Sequence, residues 1–110
     1  MSRNVVSLSG EFTAIDALRF TPAGIAAVDF RIVHRSSQTE ANFRRDITCE
    51  VQGVAMAGTA QRIARLQVGR HAEFTGFLAQ RSRRSTQLML HVNEFQLIED
   101  TDHAQTNRQG

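Results

Sequence analysis

Residues 45–79, RDITCEVQGVAMAGTAQRIARLQVGRHAEFTGFLA, decide the fold because the spacing of their apolar side chains changes twice. In RDITCEV, apolar and polar residues alternate, which is typical of a half-buried strand. Between Ala55 and Leu66 the spacing becomes helical, which predicts a short amphipathic helix with Thr59 as its cap. A turn at VGR leads into HAEFTGFLA, where the alternation returns. The stretch therefore predicts a strand, a helix and a strand.

The alternation also predicts which side chains of each strand face the core. In the strands on either side of the helix these are Ile47, Cys49, Val51, Ala72, Phe74, Gly76 and Leu78. The next run, LMLHVNEFQLIE, begins with the inward set Leu88, Leu90 and Val92 and continues with Phe95 and Leu97. Because that set changes parity, we expect a β-bulge near Asn93 and Glu94.

Two more strands precede this stretch. VVSLSGEF places Val6, Leu8 and Phe12 on one side, and Gly10 in its middle predicts a bulge or a sharp bend. After a turn at TPAG, the run IAAVDFRIVH alternates in the same way. The polar stretch RSSQTEAN, residues 35–42, is predicted to be a loop.

Three strands, a short helix and two strands are the element order of the OB fold. An SH3-like barrel and a generic β-sandwich are the alternatives, but neither predicts the single helix as well. We therefore expect one all-β domain, a five-stranded OB-fold barrel over residues 1–100, with a disordered tail over 101–110, which lacks large apolar residues. A domain of this size buries a modest core, so a homodimer is expected.

Several function classes lack the residues they need. The histidines are scattered without metal-ligand spacing, and His71 and His91 lie at positions predicted to face solvent. The single cysteine excludes an internal disulfide. No signal peptide is recognisable, and no apolar stretch approaches the roughly 18 residues of a membrane span. We expect a cytoplasmic protein without enzymatic activity, cofactor or metal.

The basic residues are more informative than the net charge of +2, because all 13 are arginine. Codon bias toward G·C would also explain the absence of lysine, so the number of arginines alone does not indicate a function. Their positions in the predicted fold are more informative. An OB fold binds its ligand across strands two and three, between the loops that join strands one to two and four to five. Eight arginines map there: Arg19, Arg31, Arg35, Arg44, Arg45, Arg81, Arg83 and Arg84. Asp29, Asp46 and Glu50 share the outward side of this sheet and weaken its positive field.

Single-strand binding needs flat side chains as well as positive charge. Phe43 lies in a segment predicted to be a polar loop, without a packing partner, and is the best candidate for stacking on a base. The alternative is that Phe43 folds back and covers one end of the barrel.

The same segments resemble the family of primosomal replication protein N (PriB). The similarity runs from residue 5 to residue 99 and includes LSGEF, VGRHAEFTGFLA and LMLHVNEFQLIE. It also includes TPAGIAAVDFRIVHRSSQTEANFRRDITCEV, which covers the second and third strands. The most specific residues lie within that stretch: His34-Arg35-Ser36, Gln38, Glu40-Ala41, Phe43 and Arg45. The related bacterial single-strand-binding proteins are the second candidate. Against them, this chain has neither Trp nor Tyr and lacks a long Gly/Pro/Gln-rich extension with an acidic, apolar tip.

The resemblance implies a homodimer that binds single-stranded DNA and helps to restart stalled replication forks. It also implies contact with the PriA helicase and, where present, with DnaT, so that the replicative helicase is reloaded. Family DNA contacts correspond to Arg19, Arg35, Phe43, Arg44 and the loop from Arg81 to Arg84. Thr48 replaces a stacking tryptophan of some members, and Gln87 replaces a lysine. Both changes predict weaker DNA binding and a greater dependence on protein partners.

Overall fold

The fold is a small, strand-rich barrel, described for residues 2–98 by a computed structural model. The elements are β1 (Val6–Ile15), β2 (Arg19–Phe20), β3 (Ala26–Glu40), β4 (Phe43–Met56), α1 (Ala57–Ala64), β5 (His71–Gln80) and β6 (Leu88–Ile98). The predicted order of five long strands, with the helix between the third and the fourth, is confirmed. The two-residue β2 was not predicted. The tail predicted at 101–110 lies outside the described residues.

The sheet closes because β1 pairs with two strands. Residues Val6 to Glu11 pair with β5, and Glu11 to Ile15 pair with β3. The remaining order is β5-β6-β4-β3-β2, with a short parallel pairing between β4 and β6. Closure of this kind removes most sheet edges from the barrel.

Irregularities in the strands allow the sheet to curve. The bulge predicted near Asn93 is confirmed, because Val92 pairs with Gly76 and Glu94 with Thr75, which leaves Asn93 unpaired between them. Gly10 was predicted to be the site of a bulge or a sharp bend. The bulge is not at Gly10, since Gly10 pairs regularly with Ala72 and the register of β1 shifts between Phe12 and Ala14 instead.

Phenylalanine rings fill the barrel. Phe12 is fully buried and meets Phe30 and Phe74 edge-on, with ring centroids 5.4 and 5.3 Å away. Gly53 leaves the space that one ring needs, because a Cβ there would lie 2.5 Å from ring atoms of Phe30. At Gly76 a Cβ would lie 1.8 Å from the carbonyl oxygen of His91, so only glycine allows β5 and β6 to approach this closely.

The helix packs across β3 and β4 and buries Ala60 and Ile63. The cap predicted at Thr59 is wrong, because the N-cap residue is Met56 and makes no side-chain capping bond. The Thr59 hydroxyl instead donates to the carbonyl oxygen of Asn93, 3.1 Å away, and so ties the helix to the bulge of β6. None of the helices within residues 2–98 combines the length and the apolar character needed to cross a membrane.

The loop predicted at residues 35–42 is instead the end of a long β-hairpin. β3 and β4 pair continuously from Ala27–Met56 to Glu40–Phe43. Ala41 and Asn42 form the two-residue turn, with φ angles of 52° and 70°. Positive φ at both positions is the geometry that joins twisted antiparallel strands most directly. The hairpin extends past the core, so neither of its faces has to be apolar there. Residues 35–42 therefore show no alternation of apolar and polar side chains, and their polar composition predicted a loop.

Three residues of the predicted core are exposed, one on the hairpin and two on β5 and β6. Cys49, Leu78 and Leu88 share the parity of buried neighbours, yet all three are exposed because they lie beyond the closed part of the barrel. Leu97 is also partly exposed. The histidines predicted to be solvated are half-buried, and His91 stacks on Phe77 with centroids 4.9 Å apart.

Candidate nucleic-acid interface

The long hairpin presents two different faces, because directly opposed residues of an antiparallel pair point to the same side. We call one the arginine face; it carries Arg31, Val33, Arg35, Ser37, Thr39, Arg44, Asp46, Thr48, Glu50 and Gln52. We call the other the phenylalanine face; it carries Ile32, His34, Ser36, Gln38, Glu40, Phe43, Arg45, Ile47, Cys49 and Val51. The predicted site residues of the two strands are therefore divided between two faces.

On the arginine face, Arg44 is held by a short hydrogen-bonded chain. Its Nε and Nη2 donate to the Ser37 hydroxyl at 3.2 and 3.1 Å. That hydroxyl donates in turn to Asp46 Oδ1 at 2.9 Å. Ser37 and Asp46 are a directly opposed pair, so the chain crosses the hairpin and fixes the direction of the guanidinium.

Arg35 lies further along the same face, beside the barrel. Its Nη1 is 3.9 Å from Glu11 Oε1, and the same oxygen is 3.7 Å from His71 Nε2. The Arg35 side chain is 65% exposed, so this long contact is weak. An incoming phosphate can therefore compete with Glu11 for the guanidinium.

A groove of about 450 Å³ lies at the barrel end of the arginine face. Its charged lining comprises Asp16, Arg19, Asp29, Arg31 and Arg81. The guanidinium of Arg19 is already bound by a carboxylate, since its Nε and Nη2 donate to the two oxygens of Asp29 at 2.9 and 3.3 Å. That hydrogen bond, together with the charge of Asp29, raises the pKa of Arg19.

The loop between β5 and β6 borders this groove. It closes through backbone bonds from Arg81 to Gln87 at 2.9 Å and from Ser85 to Ser82 at 3.2 Å. Arg81 Nη1 also approaches Gln87 Oε1 at 3.5 Å. Arg83 and Arg84 are exposed, and no ion pair holds either of them among residues 2–98.

On the phenylalanine face, Phe43 is 73% exposed beside the turn. It pairs with Glu40 in the strand ladder, so it is neither a loop residue nor a cover for the barrel. Arg45 forms an ion pair with Glu40 on the same face. Nearer the barrel, His34 Nδ1 lies 2.8 Å from the Ser9 carbonyl, to which it must donate, and this bond ties the hairpin to β1.

The arginines therefore differ in availability to an anion. Arg19 and Arg45 have close carboxylate partners, and Arg35 has a distant one. Within residues 2–98, Arg31, Arg83 and Arg84 make no hydrogen bond or ion pair through their side chains, and these three are the best placed to bind phosphate. Sequence reasoning missed Ser37 because residues 35–42 were taken for a loop, and it missed Gln52 because the predicted strand ended at Val51. The only sequence signal for the turn was Asn42, because asparagine adopts positive φ more readily than most residues.

The chain is similar to known proteins over most of its length. Residues 4–94 match a family described as "Another single-strand binding protein family". Replication restart protein PriB of Nitrosomonas europaea is 41% identical over 98 residues, which cover 89% of this chain and 91% of that protein. The chain belongs to the PriB family.

Solved structures place the PriB-family chain within the same fold. PriB from Ralstonia solanacearum superposes with a TM-score of 0.81 at 21% identity, over 89% of this chain and all of that one. The wild-type single-stranded DNA binding protein from Thermus aquaticus gives a TM-score of 0.72 at 19% identity, over 88% of this chain and 50% of that one. At these identities the likeness establishes the shared fold.

Proposed function

We propose that the chain is a single-stranded DNA-binding accessory protein of replication restart that acts by binding and not by catalysis. The observation that carries the proposal is the exposed arginine face of a barrel that belongs to a family of single-strand binding proteins. Relatives that match most of the chain are named replication restart protein PriB.

The DNA backbone is proposed to follow the arginine face from the groove to the turn. Arg31, Arg81, Arg83 and Arg84 bind phosphates near the barrel. Arg35 and Arg44 bind phosphates along the hairpin. Phe43 points to the other side, but it adjoins the turn, where the hairpin is only two strands wide. A strand that passes around this end can stack one base on Phe43. Thr48 lies on the path and offers no ring.

The proposed partners extend beyond DNA. A homodimer is proposed to form through β1, where Val6 to Gly10 have a partner strand on one edge only among residues 2–98. Val5 and Ser7 are exposed there, and small side chains allow two strands to approach closely. Contacts with PriA and, where present, DnaT belong to the same proposal, since reloading the replicative helicase requires them.

The dimer has a direct test. Sedimentation equilibrium at micromolar concentration should give twice the monomer mass of 12.3 kDa. A species that stays at the monomer mass would contradict the dimer but not DNA binding.

DNA binding is tested by fluorescence polarisation with labelled single- and double-stranded oligonucleotides at two salt concentrations. Single strands should bind more tightly. Replacing Arg81, Arg83 and Arg84 together by alanine should weaken binding about equally for every homopolymer. Because each phosphate contact on a single strand contributes about −0.7 to the slope of log affinity against log salt, the slope should flatten by about two.

The matched control replaces Arg3, Arg65 and Arg70, which removes the same charge at positions outside both the arginine face and the β5–β6 loop. If both triple variants lose affinity equally, only net charge matters and the path is wrong. If neither loses affinity, the loop does not bind DNA. Normal DNA binding with lost helicase stimulation would reassign the loop to a protein partner.

A further inference from the structure

β4 and β6 are paired over a short parallel stretch and separate on the side toward the N-terminal ends of both strands. We call the gap between them the seam. They pair only where Gly53 to Ala55 meet Leu90 to Val92. From Phe43 to Gln52, β4 pairs with β3 on one edge. No strand within residues 2–98 covers the other edge of that segment. An uncovered strand edge presents backbone donors and acceptors that another extended chain can use.

A cleft of about 350 Å³ lies in this seam. Its apolar lining is Val51, Leu78, Leu88 and Leu90, and its polar lining is Glu50, Gln52 and Gln87. Leu88 is 56% exposed and Leu78 is 37% exposed, although both share the parity of the buried Leu90. These leucines were expected in the core and are instead exposed to solvent.

The seam has the features of a protein-binding site more than of a nucleic-acid site. Its lining contains no arginine and no aromatic ring, which single-strand binding requires. It combines an open strand edge with a pocket for one apolar side chain, which is how extended peptides are bound by strand addition. The neighbouring loop carries three positive charges, on Arg81, Arg83 and Arg84, whereas the cleft lining carries one negative charge, on Glu50. Acidic side chains of a ligand are therefore favoured beside the cleft.

We propose that this seam binds an extended polypeptide segment that places an apolar side chain in the cleft and acidic side chains toward the loop from Arg81 to Gln87. Val51, at the cleft, belongs to the phenylalanine face, on the other side of the hairpin from the arginine face. The cleft also shares Glu50 and Gln52 with the arginine face and adjoins the loop arginines of the proposed DNA path, so variants at Leu78 and Leu88, which lie outside that path, have to separate peptide binding from DNA binding.

The test uses the full chain and a fluorescein-labelled peptide of about ten residues, enough to span the free edge of β4. In the peptide, leucine and valine alternate with aspartate and threonine. Its control has lysine in place of aspartate. The acidic peptide should bind, and the lysine peptide should bind at least about tenfold more weakly, because the loop carries three like charges.

Leu88→Ser should lower the affinity for the acidic peptide by about tenfold or more, because it removes part of the apolar surface against which the peptide's side chain is buried. Leu78→Ser provides a second variant on the same cleft. Leu97→Ser is the matched control, on the same strand as Leu88 but at its far end, and should leave peptide affinity unchanged. Both cleft variants should still bind oligo-dT normally.

Three results would overturn the proposal. One is equal binding of the acidic peptide by Leu88→Ser, Leu97→Ser and the unmodified chain, or no binding by any of them. Another is loss of oligo-dT affinity in Leu88→Ser, which would make the cleft a DNA surface. The third is conversion of a dimer to a monomer by Leu88→Ser or Leu78→Ser, which would make a second copy the occupant.

Discussion

The closed barrel and the hairpin that extends from it use the same residue type in opposite ways. In the barrel, Phe12 is completely buried among other rings. In the hairpin, Phe43 is 73% exposed and stacks on no ring in the part of the chain that the structure describes. Burial of a ring stabilises the fold, whereas an exposed ring on a two-stranded hairpin contributes little to stability and is available to a ligand. The barrel therefore supports the fold, and the hairpin presents surface for binding.

The sharpest test of this contrast is Phe12→Ala. Removing a fully buried ring leaves a cavity that the surrounding strands cannot fill, so the free energy of unfolding should fall by about 3–5 kcal/mol. Urea denaturation followed by circular dichroism measures this loss. A loss below about 1 kcal/mol would show that the barrel repacks around the missing ring. Phe12 would then contribute less to stability, relative to Phe43, than its burial indicates.

Phe43→Ala should have the opposite profile. Affinity for single-stranded oligonucleotides should fall by about 1–3 kcal/mol, because one base loses its stacking platform. The unfolding free energy should change by less than about 0.5 kcal/mol, as for most exposed positions. Phe20→Ala is the control, since Phe20 is also exposed but lies on β2 and not on the hairpin. Unchanged DNA affinity, or an early-melting variant, would give Phe43 a packing role.

The smallest expected effect concerns the ion pair at the barrel end. Asp29→Asn removes the carboxylate that holds Arg19, and the unfolding free energy should fall by less than about 1 kcal/mol because both side chains are partly exposed. The freed guanidinium and the lost negative charge should strengthen single-strand binding and steepen its salt dependence. Weaker binding instead would mean that Asp29 positions Arg19 for DNA.

Much of the barrel could be predicted from the sequence because burial imposes alternation. Phe12, Phe30 and Phe74 repeat with the parity of their strands, and the parity change between Val92 and Phe95 revealed the bulge at Asn93. The hairpin beyond the barrel could not be predicted in this way. Its two faces are both open to solvent, so no alternation of apolar residues marks residues 35–42 as strand, and their polar composition favours a loop.

The candidate site was predicted only in part for the same reason. The sequence identified the arginines and Phe43, since residue type and position in an OB fold point to them. It did not show that Phe43 and Arg45 lie on the opposite face from Arg44. A segment that is predicted to be a loop cannot be assigned two faces. In a strand, by contrast, successive side chains point to opposite faces.

By itself the sequence determined the element order, the phenylalanine core and the arginine-rich segments, because each depends on residue type and local spacing. Only the tertiary structure decided which arginines are available, since Asp29, Glu11 and Glu40 reach them from other positions along the chain. It also decided that Leu78 and Leu88 are exposed. Their parity predicts burial, but parity specifies only the side of a strand. Burial also requires an opposing element, and where β4 and β6 separate the described chain supplies none.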